Sequence, residues 1–480
     1  MKYIFTLLAL LFGTIYGLLF TSFGNDFFKP ILEKQIQKQT QLNSELKIFK
    51  LSFSNLHVKL NITPKNTIDI NGSFSLISQN FNISYNLVFN NLKALKPITN
   101  INLNGKLQTN GKVVGNFKNF NVIGKSSLAN STTNYKTNIV NLYPSLVLLE
   151  TKNLDLENLL FMINQKKYAS AKINLDMNIT NLKTNNLDGK ISLYTKNGKF
   201  NKKLILNDYN ISLPYSNFKF TTNTKLVDNK ALTSLNFKTK IMNLHVKEAK
   251  LNLASQKLES DYKVTIPNLN NLFFVTKTKL KGSFTANGKI IKDENLFVTF
   301  YSNTCGGKII TKIKNENLTT TIKGLDTIKL LDMLMYPKIF KSTLDAKLNY
   351  NLINKKGILN GDLKNGKFQK NTILDLVKQY ARTNLYIENF NGKIKAKITK
   401  NNILTSIALK SNNSSISSKN AKINLKERKV NASVNVIANK NPISFKINGD
   451  INKPKIKVDA NKIIEKESKK VIGNFINNLF

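Results

Sequence analysis

The chain has a single cysteine, Cys305, so no intramolecular disulfide can form and the fold must rest on packing alone. That count also excludes zinc ribbons and disulfide scaffolds. Tryptophan is absent, and histidine occurs only as His57 and His245. Of the 73 basic residues only Arg382 and Arg428 are arginine. The net charge of +45 invites a nucleic-acid reading. The scarcity of arginine argues against it, because bidentate phosphate and guanine contacts rely on that side chain. The lysines are also spread evenly along the chain instead of clustering. Lys, Asn and Ile are all plentiful, the pattern of AT-rich coding, and a solvated lysine face with some pull on anionic lipid headgroups accounts for the charge. No nucleic-acid partner is expected. Hydrophobic residues make up 41%, mostly Ile, Leu, Val and Phe, enough to bury a sizeable apolar surface and to argue against disorder. At 480 residues, one large domain or two to three ordinary ones are expected.

Tyr3–Gly24 carries no charge. Some twenty apolar residues in a helix span about 30 Å, the thickness of a bilayer core. A cleavable signal peptide has a shorter apolar stretch and a small-residue cleavage site, and Leu18–Phe28 offers none. Residues 1–25 therefore read as an uncleaved transmembrane anchor, with Lys2 in the cytoplasm and the bulk exported. Residues 26–45 read as a juxtamembrane helix with Phe27, Phe28, Ile31, Leu32, Gln35 and Ile36 on one stripe.

From Leu46 the period changes to two. Phe81, Ile83, Tyr85, Leu87 and Phe89 alternate with Asn82, Ser84, Asn86 and Val88. The same pattern runs through Ile173–Ile179, Leu344–Leu352, Ile394–Ile398 and Val430–Val436. This predicts about two dozen antiparallel strands, each with one apolar and one wet side. Asn71-Gly72, Asn104-Gly105, Asn110-Gly111, Asn197-Gly198, Asn287-Gly288, Asn365-Gly366 and Asn391-Gly392 read as turns between them. Short helices are expected around Leu156–Ile163, around Leu330–Leu334 before Pro337, and over Ile373–Tyr380 capped by Asn371 or Thr372. An amphipathic helix is expected over Lys462–Leu479, and Ser411–Ser418 reads as a loop tip. A helix–strand–strand pattern recurs at Leu154–Phe200, Leu269–Ile290 and Leu325–Phe368, and the pentapeptide NLHVK occurs at Asn55–Lys59 and Asn243–Lys247. The spacing is not fixed, so duplicated sheet units are expected and a strict solenoid is not.

No catalytic constellation emerges. Alternation puts His57 and His245 on the polar side of their strands. Cys305 precedes Gly306-Gly307 and reads as a buried or bend-associated thiol. Gly124-Lys125-Ser126 imitates the end of a phosphate-binding loop, but Asn119 stands where the first glycine belongs. No catalytic residue, cofactor or metal site is expected, and the chain does not read as an enzyme. The open question is what covers the apolar side of the strands: a second sheet, or lipid acyl chains.

The C-terminal third resembles the AsmA-like family. Ile443–Asp459 (ISFKINGDINKPKIKVD) is similar to that family's closing strand pair, with Gly449, Pro454 and Asp459 in place. Leu330–Leu363 and Gly366–Val377 are similar to its helix–strand and strand–helix segments. The resemblance covers roughly Thr320–Phe480, which divides the body into a β-rich repeat region, 46–320, and an AsmA-like region, 321–480. It implies a mainly β fold: an elongated, curved antiparallel groove behind an N-terminal transmembrane helix, with a C-terminal amphipathic helix. It further implies a single-pass protein of the bacterial inner membrane, with its bulk in the periplasm, that carries phospholipid for outer-membrane biogenesis. Membrane phospholipids, the inner membrane through residues 3–24, and outer-membrane or periplasmic proteins are the expected partners. The expected groove residues are Phe81, Ile83, Leu87, Ile173, Leu175, Leu348, Tyr350, Ile394, Val434, Val436, Phe445 and Ile447. The rival reading is a non-transporting scaffold for outer-membrane protein assembly.

Overall fold

The computed structural model describes residues 19–183 and 186–458. The expected C-terminal helix and nearly all of the expected anchor lie outside them. No helix among the described residues is long and apolar enough to cross a membrane. The described chain is mainly antiparallel β, with 27 strands, and it divides into two compact units. Unit 1 is Met1–Lys240 with Lys247–Gln256, and unit 2 is Ile241–Val246 with Lys257–Phe480. The division does not coincide with the 320/321 boundary drawn from the resemblance.

Unit 1 opens with α1 (Ser22–Thr40). A meander follows: β1 (Glu45–Leu51), β2 (Asn55–Thr63), β3 (Asn66–Phe74), β4 (Asn80–Phe89), β5 (Leu107–Asn116), β6 (Asn119–Ser126), β7 (Thr132–Val140) and β8 (Tyr143–Asp155). It continues through the two-residue β9 (Ala169–Ser170), β10 (Lys172–Lys183), β11 (Asn186–Phe200), β12 (Asn217–Val227) and β13 (Lys230–Thr239). Sequential neighbours pair antiparallel, except that β8 pairs with β10 while β9 lies against β11. Single-turn α2 (Lys96–Thr99), α3 (Leu156–Met162) and α4 (Lys202–Tyr209) fill connections.

An edge strand presents unpaired backbone groups that must be covered. In unit 1, α1 does this with polar side chains four residues apart. Asn25 brackets Leu51, its amide donating to the carbonyl and its oxygen accepting from the N–H, both at 2.9 Å. Lys29 Nζ donates to Lys47 O at 3.2 Å, Leu46 N donates to Glu33 Oε2 at 2.9 Å, and Gln37 Nε2 donates to Ser44 O at 2.7 Å. This pairing turns the helix differently from the stripe read in the sequence. Leu32 and Ile36 pack into the core, whereas Phe27, Ile31 and Gln35 face outward.

The strand β14 (Asn243–Asn252) straddles the division. Unit 2 then runs through β15 (Leu258–Ile266), β16 (Phe284–Lys292), β17 (Leu296–Ser302), β18 (Lys308–Lys314), β19 (Asn317–Asp326), β20 (Phe340–Asn351) and β21 (Lys356–Phe368). It ends with β22 (Phe390–Thr399), β23 (Asn402–Lys410), β24 (Ser414–Asn424), β25 (Lys429–Ala438), β26 (Asn441–Asp450) and β27 (Pro454–Val458). Neighbours again pair antiparallel in sequence order. Its helices are α5 (Phe273–Thr276), α6 (Thr327–Met333) and α7 (Thr372–Ala381). Pro454, which has no N–H to give a ladder, opens the edge strand β27 opposite Gly449.

The units are internal duplicates over β4–β13 and β15–β23, as their matching details show. Leu92 N bonds Gly105 O in one, and Leu269 N bonds Gly282 O in the other. Asn104 N reaches Met162 O just as Lys281 N reaches Met333 O. Ala129 and Cys305 occupy equivalent turns, both with left-handed backbones. The buried Leu154 and Leu325 each precede an aspartate cap. Asp155 accepts from Asn158 N, and Asp326 from Ile328 N and Lys329 N. NLHVK does not mark this duplication, because it opens β2, two strands before β4, and β14, one strand before β15. Removing a helix cap of this kind costs about 1 kcal/mol. Asp326→Ala is therefore expected to lower stability to urea by that amount and to speed amide exchange at Ile328 and Lys329; unchanged exchange there would show the cap to be idle.

Six of the seven Asn-Gly pairs lie inside strands, contrary to the turn reading; only Asn104-Gly105 sits in a connection. Several of these glycines lie under aromatic rings. A Cβ on Gly198 would stand 2.2 Å from the Phe218 ring, and one on Gly111 would stand 2.5 Å from Tyr85 Oη. The tight turns use other residues with positive φ: Asn141-Leu142, Asp228-Asn229 and Asn439-Lys440. Ser411–Ser418 is not one loop tip either. Ser414 begins β24, and Ser411 and Ser414 both hydrogen-bond Glu388.

Candidate functional site

Each sheet sorts its side chains into two rows. In unit 1 the register aligns Ile68, Leu87 and Thr109; Ile83, Val113 and Val122; and Tyr135, Leu149, Met177 and Ile191. Leu175 and Leu193 then stand beside Thr222 and Leu235. This row carries no charge from β2 to β13. The opposite row carries Lys112, Lys125, Lys136, Glu150, Asp176, Lys190 and Lys225 among asparagines. Unit 2 repeats the division. Leu348 pairs with Thr320 and Leu359, Ile394 with Gly361 and Ile407, and Ile447 with Ala432 and Ile456. Lys347, Lys393, Lys395 and Lys446 occupy the other row.

All twelve expected groove residues fall on the charge-free rows, but they differ in cover. Phe81, Ile83, Leu87, Leu175, Leu348, Tyr350, Ile394, Val434 and Ile447 are partly exposed. Ile173, Val436 and Phe445 are 6%, 1% and 0% exposed, and the protein's own core encloses them. In unit 2 the cover is α7, whose Leu374, Val377 and Ala381 share a core with Phe390, Leu409, Val436, Ile443 and Phe445. These three residues are corrected to core positions.

The connections sort by edge. In each unit the helical turns fill one end of the strands, at α2, α3 and α4 in unit 1 and at α5, α6 and α7 in unit 2. The other end carries short turns: 117–118, 141–142 and 228–229 in unit 1, and 293–295, 315–316 and 400–401 in unit 2. Among the described residues, helices plug each charge-free row along one edge.

Several polar side chains on these rows bond one another or a backbone carbonyl, whereas Thr63 Oγ1 and Ser418 Oγ are buried without a partner. Tyr85 on β4 and Tyr135 on β7 lie over Gly111 and Gly124 and meet, hydroxyl to hydroxyl, at 2.6 Å. Burial first, and then the bond to Tyr135, push the Tyr85 hydroxyl well above the usual phenol range. Tyr262 lies over Gly288 in the second copy and donates to Thr299 O. Thr133 bonds Thr151, and Thr311 bonds Thr320. The tyrosine–glycine pairs escape a sequence reading in which Asn110-Gly111 is a turn. The signal was present, since Gly111 keeps the parity of Thr109 and Val113. A cavity of about 1000 Å³ over β5–β11 is lined mainly from the lysine- and asparagine-bearing row, including Lys112, Lys125, Lys136 and Lys190, with Tyr135, Leu149 and Met177 contributing from the apolar one.

The residues considered for chemistry are scattered. His57 Nε2 lies 3.1 Å from Asp69 across β2 and β3, half exposed, and His245 is exposed on β14. Lys125 and Ser126 are within β6, so no phosphate-binding loop exists there. Among the described residues, no group of three His, Cys, Asp or Glu side chains is placed to hold a metal. Cys305 sits in a turn with its Sγ 3.8 Å from Met333 Sδ. Burial, with Asp326 adding to it against an opposing Lys329, pushes its thiol up. The thiolate fraction is thus low, and at pH 8 a thiol reagent is expected to label native Cys305 more slowly than the urea-unfolded chain. Equal rates at that pH would contradict it.

Comparison with known proteins finds no match: no family model, no curated protein and no solved structure aligns significantly with the chain.

Proposed function

We propose that the chain is a membrane-anchored lipid-binding protein of a bacterial envelope, in which acyl chains lie on the charge-free rows. The observation that carries this reading is the length of those rows. They cross every strand of a meander without a charge, while the opposite side is rich in lysine and asparagine. Burying each acyl CH₂ gains about 0.8 kcal/mol, so a modest contact length holds a lipid while nothing fixes its position along the row. A surface without directional partners suits transport better than storage. The lysines of the other row suit anionic headgroups. The resemblance to AsmA-like proteins supports the same reading. It adds an inner-membrane anchor at residues 3–24, a periplasmic body, phospholipid cargo bound for the outer membrane, and partner proteins in the periplasm or outer membrane. The groove-like curvature belongs to this proposal too.

The scaffold reading has one observation in its favour: α7 fills part of the unit 2 row with protein. A photo-crosslinking side chain separates the two readings. Placed at Met177, on the apolar row, it is expected to capture phospholipid in cells; placed at Asn178, on the other row, it is not. Protein adducts at Met177 without lipid would favour the scaffold and defeat transport.

A further inference from the structure

The short-turn edge of β1–β8 carries a run of apolar tips. The turn between β1 and β2 exposes Phe53, and that between β3 and β4 exposes Leu76 and Ile77, the latter 90% accessible. Phe117 projects after β5, and Leu142 and Tyr143 follow β7, Tyr143 being 77% accessible. These four turns, 52–54, 75–79, 117–118 and 141–142, contain no carboxylate and a single cation, Lys118. The duplicate turns of unit 2 read Asp293-Glu294-Asn295 and Asn315-Glu316. At these two positions the same backbone device has acidic tips in one copy and oily tips in the other, so folding does not require oily ones there; elsewhere on its short-turn edge unit 2 exposes Leu352 and Ile353.

The oily copy is the one joined to the uncharged N-terminal segment. Phe20, just after that segment, stacks edge-on against Phe53 at 5.9 Å. Helix α1 then exposes Phe23, Phe27 and Ile31 at four-residue intervals, while its polar stripe is tied to β1. The helical edge of unit 1 also exposes apolar side chains, but it interleaves them with Lys93, Lys96, Lys166, Lys167, Lys202 and Lys203.

We infer that the short-turn edge of β1–β8, together with the outer stripe of α1, rests in the bilayer interface beside the anchor. Aromatic and aliphatic tips without carboxylates suit that zone, where apolar side chains enter the headgroup–acyl boundary. The turns lie two strands apart, about 10 Å, so the four cover roughly 30 Å of membrane surface. The inference rests on the anchor reading and is independent of where transported lipid lies.

The absence of tryptophan allows a direct test in the full chain. Single tryptophans are placed by Phe117→Trp and Tyr143→Trp on the edge, by Glu316→Trp on the duplicate turn, and by Leu175→Trp on the apolar row. Each variant is reconstituted into phosphatidylcholine–phosphatidylglycerol vesicles with brominated acyl chains. Emission from both edge reporters is expected to fall at least twofold relative to unbrominated vesicles, with Glu316→Trp unchanged. Unquenched edge reporters in vesicle-bound protein overturn the inference. If Leu175→Trp alone is quenched, lipid occupies the row but the edge does not dock. If the edge reporters alone are quenched, the edge stands and the lipid-row proposal falls. Edge reporters shielded from acrylamide but untouched by bromine mean self-association, which also overturns it. A chain that does not float with vesicles removes both the anchor and the edge.

Discussion

Alanine in place of Phe390 is expected to destabilise unit 2 by about 3–5 kcal/mol, the cost of deleting a buried aromatic side chain and leaving a void. Phe390 is fully buried at the start of β22 and meets Phe368 edge-to-face, with ring centroids 5.2 Å apart. Phe368 in turn packs on Phe340 at 4.6 Å, and the Phe340 ring lies over Gly366. The cluster ties β20, β21 and β22 to the core beneath α7, so removing its central ring loosens three strands and a helix together. Urea unfolding followed by circular dichroism measures the loss. A shift below 1 kcal/mol would mean that the neighbouring rings close the gap and that the cluster is not a keystone of the unit.

Met177→Asp is expected to reduce co-purified phospholipid at least tenfold, while Asn178→Asp leaves it unchanged. The two substitutions introduce the same carboxylate one residue apart on β10, on opposite rows. Met177 is flanked in register by Leu149 and Ile191, where a carboxylate meets apolar neighbours alone, so any acyl chain placed there must share its surroundings with an uncompensated charge. Asn178 is exposed between Lys190 and Leu148, where a carboxylate remains hydrated beside a cation. Both variants must retain the circular dichroism of the parent, and lipid is measured by mass spectrometry on the full chain. Equal lipid content in the two would sink the proposal that the charge-free row is the binding surface.

The duplication changes how several features read. The short helices are equivalent plugs on one edge of each unit. The left-handed turn at Cys305 has its counterpart at Ala129, where no thiol exists, so the position is structural in both copies. The edge inference draws on the same comparison: where two copies of one backbone differ in chemistry, folding alone does not explain the difference.

Alternation was enough to place all twelve expected groove residues on one side of their strands, because a side-chain period of two follows from backbone geometry and needs no partner. The helices over Leu156–Met162, Thr327–Met333 and Thr372–Ala381 were legible for a similar reason, since their apolar spacing, and the asparagine cap of the last, are local. Asn-Gly pairs misled because a glycine that admits a turn also admits an aromatic ring from the next strand, and the choice depends on a residue far away, such as Phe218 for Gly198. The outward turn of Phe27 and Ile31 was likewise invisible, because hydrogen bonds to β1 orient α1. The sequence by itself determined which residues share a side; only the tertiary structure decided which of those sides the protein covers. Burial of Val436 and Phe445 depends on where α7 comes to lie, and that is a matter of long-range packing.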